Sequence, residues 1–206
     1  EYFEACFRDV LDFFGIYACW ACVNCLKGAG ATAGWGRKPR RCPKCRSPAV
    51  YQIATFNAWA GKAGAAFAWS FYCLMREHFR VPLVPTPGRT RTHDFEVTER
   101  VAIETKGSPS SVINPDGTTY PLGRPGMLRT DTEKKAFDNA RKFRQRNPEG
   151  YFCVVTNALP PRLEGYRNRD VNAIFDVTKI ERIHELVREI GAKVDLEALR
   201  RQEFGQ

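Results

Sequence analysis

Three observations predict an α/β protein with a mixed central sheet flanked by helices and a small cysteine-rich module. Apolar residues recur at helical spacing in some segments and alternate or run unbroken in others, in the order helix, strand, strand, loop, helix, strand, helix. Residues 16–50 show neither period and hold cysteines, glycines and a basic run instead. With 43% hydrophobic residues over 206 positions the chain can bury a core, which excludes disordered and collagen-like classes.

The elements follow in order. Phe3, Phe7, Val10, Leu11 and Phe14 stand three and four residues apart with Gly15 as a stop, which predicts an amphipathic helix over 1–15. A second helix is expected over 61–79, with Phe67, Phe71, Leu74 and His78 as its stripe, ended by Pro82, Pro85 and Pro87. Two neighbouring strands are expected at 92–98 and 100–105. In the second, Val101, Ile103 and Thr105 alternate with Ala102, Glu104 and Lys106. Residues 107–129, rich in Gly, Pro and Ser, read as a long loop. A helix over 131–146 turns Ala136, Phe137, Ala140 and Phe143 inward and its Lys and Arg residues outward, and 151–156 reads as a buried strand. Thr178 and Glu181 read as a capping box for a helix that turns Ile180, Ile183, Leu186, Val187 and Ile190 inward and ends at Gly191, Asp195 as the cap of a last short helix, and His78 and His184, on apolar helical faces, as core histidines. The organisation expected is an N-terminal helix (1–15), a cysteine module (16–50) and an α/β domain (51–206).

Lys and Arg outnumber Asp and Glu by 32 to 23, a formal net charge of +9, so an anionic partner such as DNA is expected. Lys62 and Arg76 bracket the longest apolar run, too short to span a membrane. A soluble cytoplasmic or nucleoid-associated protein is expected. Eight cysteines, four of them in two Cys-x-x-Cys pairs, point to metal in a reducing compartment rather than to disulfides.

Cys22 and Cys25 are separated from Cys42 and Cys45 by 16 residues, so two tight turns can bring four thiolates around one Zn²⁺. Cys19 and Cys22 form a further Cys-x-x-Cys, which makes Cys19 an alternative ligand. Metal binding would supply the folding energy that this Gly-rich segment lacks. The pattern resembles a zinc ribbon. Arg37, Lys38, Arg40, Arg41 and Lys44 give its second half a basic surface suited to phosphates, and a solvated face on a structural ribbon is the alternative.

Glu104 and Lys106 project to one side of their strand, and Asp94 on the preceding strand can join them. Two carboxylates, helped by the Thr105 carbonyl, suit Mg²⁺, while a lysine beside them suits a water attacking a phosphodiester. Asp94 followed by Glu104-Thr105-Lys106 resembles the motif of the PD-(D/E)XK nuclease superfamily, and residues 61–156 follow the element order of its common core. The resemblance implies a restriction-endonuclease-like fold and a Mg²⁺-dependent DNA endonuclease, with Asp94 and Glu104 as metal ligands and Lys106 as the catalytic lysine. It also implies a homodimer, since double-strand cutting needs two sites. A structure-specific or repair nuclease, or an inactive nucleic-acid-binding protein of the same fold, are the alternatives.

This chain departs from the pattern in two places. His93 precedes Asp94 where the family has Pro, which leaves open a contact between His93 and substrate. The upstream helix lacks the Glu that many members add to the metal site. Either Glu77 serves instead, or Ala65 or Ala66 occupies its place. Arg124, with Arg89, Arg91 and Arg129, is a candidate for DNA contact from the loop.

Overall fold

The computed structural model describes residues 2–16, 18–26, 39–54, 56–88, 92–113, 117, 119–121 and 124–205. The chain begins with α1 (Tyr2–Phe13), then a hairpin of β1 (Ala18–Cys22) and β2 (Val50–Ala54) with the one-turn α2 (Val23–Leu26) after its first strand. The long α3 (Phe56–Cys73) begins five residues before the expected start and passes into a π-helical turn, Leu74–His78.

The central sheet contains five strands in the order β3 (Val84–Pro85), β4 (Phe95–Thr98), β5 (Val101–Thr105), β8 (Tyr151–Thr156) and β9 (Ala173–Asp176). The first three are antiparallel neighbours, and β5, β8 and β9 run parallel, so the sheet is mixed. Between β5 and β8 lie a short hairpin, β6 (Ser111–Ile113) with β7 (Thr119–Pro121), and α4 (Thr130–Arg146). The chain closes with α5 (Ile180–Gly191) and α6 (Leu196–Phe204).

Every residue of β5 and of β8 is buried, as strands covered on both faces require. One core cluster joins Val101 and Ile103 to Phe3, Phe7 and Leu11 of α1, Phe67 and Phe71 of α3, and Ile183, Leu186 and Ile190 of α5. The other joins Ala102, Phe152 and Val154 to Ala136, Ala140 and Phe143 of α4. The alternation read along 100–106 is therefore a division between two faces, and Glu104 lies on the α4 side, where Asn139 meets it.

Four expectations are corrected. The 107–129 segment, read as an unbroken loop, contains the β6–β7 hairpin and a 3₁₀ turn, Gly126–Leu128. Thr178 does not cap α5, because its hydroxyl donates to Asp176 Oδ1 at 2.7 Å and the residue before the helix is Lys179. Ile180, expected inward, is exposed. His78 and His184, placed on apolar faces by spacing, are both exposed, the latter edge-on to Phe79. Asp195 caps α6 as expected, accepting from the Ala198 amide at 2.9 Å. No helix among the described residues is long and apolar enough to cross a membrane.

Candidate active site and cysteine cluster

The β4–β5 pairing builds the first site. Asp94 lies just before β4, and its amide donates to the Ile103 carbonyl at 3.1 Å, which sets it opposite the end of β5. Its Oδ2 accepts from the Thr105 amide at 2.8 Å and from the Thr105 hydroxyl. On the same stretch Lys106 Nζ donates to Glu104 Oε1 and, at 3.2 Å, to the Thr105 carbonyl. Asn139 Nδ2 of α4 also donates to Glu104 Oε1, at 3.0 Å. Asp94, Glu104, Thr105 and Lys106 are thus brought together.

Glu104 is only 2% exposed. Burial, reinforced by the negative charge of Asp94, raises its carboxyl to about 7, against the pull of the Lys106 ammonium and the Asn139 hydrogen bond. Two carboxylates close enough to repel, one of them buried and bonded to Lys106, with the Thr105 carbonyl also in contact with that lysine, are oxygen donors of the kind that could hold a hard divalent cation. Asn139 carries no motif signal, and sequence reasoning missed it. The only hint is its polarity among inward residues, one position before Ala140.

The surroundings are shaped by two close approaches. Gly107 follows Lys106 directly, and a Cβ there would overlap the Phe67 ring of α3. Gly126, with φ +49°, lies so close to Thr156 Oγ1 and the Lys106 carbonyl that a side chain has no room. A cleft of about 250 Å³ opens beside the lysine, lined by Thr105, Lys106, Gly107, Gly64 of α3, and Arg129, Asp131 and Lys135 at the start of α4.

The remaining candidates fall outside this cluster. Glu77 sits exposed on the π turn, about 20 Å of helix axis from Gly64, and its charge bears on the thiols of Cys6 and Cys73. Ala66 is fully buried in the core cluster with Ala63 and Phe67, while Ala65 is exposed. His93 is a core histidine rather than a free one. It is 6% exposed, bonded to Thr92 Oγ1 at 2.9 Å and Glu96 Oε1 at 2.8 Å, and edge-on to Phe143. Arg124 is exposed. Arg89 and Arg91 lie outside the described residues.

The second site joins the two Cys-x-x-Cys turns. Ligand sulfurs of Cys22, Cys25, Cys42 and Cys45 all lie within 4.8 Å of one another. Cys22 and Cys45 approach to 3.5 Å, Cys25 and Cys42 to 3.6 Å. The first pair is therefore Cys22 and Cys25, and Cys19 belongs to β1, opposite Ile53. The Cys42 thiol is lowered to about 6, chiefly by hydrogen bonding from the amide of Cys45, 3.5 Å from the sulfur, and then from that of Lys44. Four sulfurs around one point, with amides stabilising a thiolate, suit a tetrahedral metal. Arg40, Arg41 and Lys44 are exposed beside the cluster, and Arg37 and Lys38 lie outside the described residues.

No family model matches the chain, and no curated protein or solved structure shows a significant likeness to it.

Proposed function

We propose that the protein is a metal-dependent nuclease acting on DNA, with a restriction-endonuclease-like core and a structural zinc in the four-cysteine cluster. The observation that carries this reading is the hold of Thr105 on Asp94, which fixes the carboxylate beside Glu104 and Lys106 at the end of β5. Asp94, Glu104 and the Thr105 carbonyl would hold Mg²⁺, which when bound neutralises charge gathering on the scissile phosphate. Lys106 orients the attacking water. That water's oxygen bonds to phosphorus and gives up a proton to solvent as the bond to the leaving oxygen breaks, and the leaving oxygen takes a proton from solvent. Asn139 keeps Glu104 turned toward the site. The basic module, Arg124 and the net charge of +9 supply the sequence-independent attraction for the strand.

The buried Ala66, where a third carboxylate would come from α3, supports a second reading, a nucleic-acid-binding protein that does not cut. One experiment separates the two. The zinc-loaded chain is incubated with duplex DNA and Mg²⁺, beside Lys106→Ala and Asp94→Asn. Cleavage reduced at least about a hundredfold in both variants supports the nuclease. Salt-sensitive binding with no products from the wild type supports the binder. Branched DNA and RNA included in the same assay identify the preferred target.

A further inference from the structure

We propose that the cleft beside Lys106 is a phosphate-binding subsite for the nucleic-acid backbone, and that Lys135 of α4 is its second cation. The inference rests on the nuclease reading and adds to it the residue that receives the strand next to the reacting phosphate.

The cleft and the carboxylate cluster share residues, since Thr105 and Lys106 line the one and build the other. Whatever sits on Lys106 therefore continues into this cleft. Three cations line it, Lys106, Arg129 and Lys135, against one carboxylate, Asp131. Arg129 holds that carboxylate in two hydrogen bonds, at 3.1 and 2.9 Å. The lining is thus net positive, with hydroxyl donors from Thr132 and Ser108.

The helix sets the spacing. Lys135 and Asn139 are four residues apart on α4, just over one turn and about 6 Å of rise, so they share a face. Asn139 touches Glu104 at 3.0 Å. Lys135 therefore stands one turn from the reacting centre, a separation of the order of that between successive phosphates on a strand. Lys134, its neighbour in sequence, lines a different hollow with Phe137 and Arg162.

Gly64 supplies a second observation. It lies inside α3, where glycine weakens a helix, yet a Cβ built there meets nothing within 4 Å. Packing does not demand the glycine. Its effect is to leave the wall of the cleft low.

The test measures binding to two unrelated DNA duplexes across a salt series, with Ca²⁺ replacing Mg²⁺ so that no strand is cut. Lys135→Ala should weaken binding equally for both sequences and lower the slope of log affinity against log salt by about 0.9, while Lys134→Ala leaves the slope unchanged. Gly64→Leu should keep or raise the melting temperature and weaken binding. A Lys135→Ala slope equal to wild type, or a Gly64→Leu chain that binds normally, overturns the subsite. If such variants behave as wild type while the wild type still cleaves with Mg²⁺, the nuclease reading survives alone. A wild type that neither binds nor cleaves removes both.

Discussion

In β5 and β8 every side chain is buried, whereas in 18–50 most of the side chains whose burial is described are exposed or half-buried, Cys22 and Cys42 being buried. The sheet is held by many apolar contacts on two faces, each contributing a little. The module concentrates its cohesion in four sulfurs around one point. A structure of the first kind yields by degrees as contacts are removed, and one of the second kind is lost in a single step.

The largest expected effect comes from removing that point. Cys42→Ser, or a strong zinc chelator, should reduce bound zinc from one per chain to none and withdraw metal-coupled folding energy on the order of 10 kcal/mol from the module alone. Metal analysis with limited proteolysis checks this, new cuts being expected within 18–54 while the cooperative melting of the sheet persists. Loss of the sheet together with the zinc would erase the contrast.

Phe152→Ala is the converse experiment. Phe152 is fully buried against the rings of His93 and Phe143, so the cavity should cost about 3–5 kcal/mol in denaturant titration and leave the zinc content untouched.

Glu104 makes the sheet end sensitive to pH. Its carboxyl titrates at about 7 when folded against an ordinary 4.5, so the folded state holds the proton more tightly. The stability this contributes is complete below 4.5 and lost as pH rises through about 7. Without divalent ions, the urea midpoint should fall between about pH 5 and 8. Glu104→Gln should flatten that fall, and Mg²⁺ should restore wild-type stability at the alkaline end.

The smallest effect sharpens the role of Asn139. Its hydrogen bond favours the ionised carboxylate, so Asn139→Ala should raise the Glu104 pKa further. The rising limb of a Mg²⁺-dependent cleavage profile should then move to higher pH, with little change in melting temperature. An unmoved profile would mean that Asn139 does not act on Glu104.

What could be read from residues alone tracks the range of the forces involved. The alternation at 101–105 and the apolar run at 151–156 are local patterns, and both became strands at those positions. The two Cys-x-x-Cys turns are also local, and they found each other. Choosing Cys22 and Cys25 over Cys19 depended on β1 pairing with β2, a contact between distant residues. β9 escaped notice because its four residues, Ala173–Asp176, are too short for a period and gain their burial from β8 and α5. β3 was hidden by Pro85, which an edge position tolerates, and by the prolines on either side of it. At Thr178 a correct capping pattern lost to a nearer acceptor, Asp176. Asn139 is visible only once α4 lies over β5.

The fit between Gly107 and the Phe67 ring ties two positions forty residues apart in sequence. A larger residue at 107 requires a smaller one at 67, and neither change is neutral alone. Homologues of this chain should therefore show the two positions drifting as a linked pair, and a lineage that trims the aromatic is where the glycine first becomes dispensable.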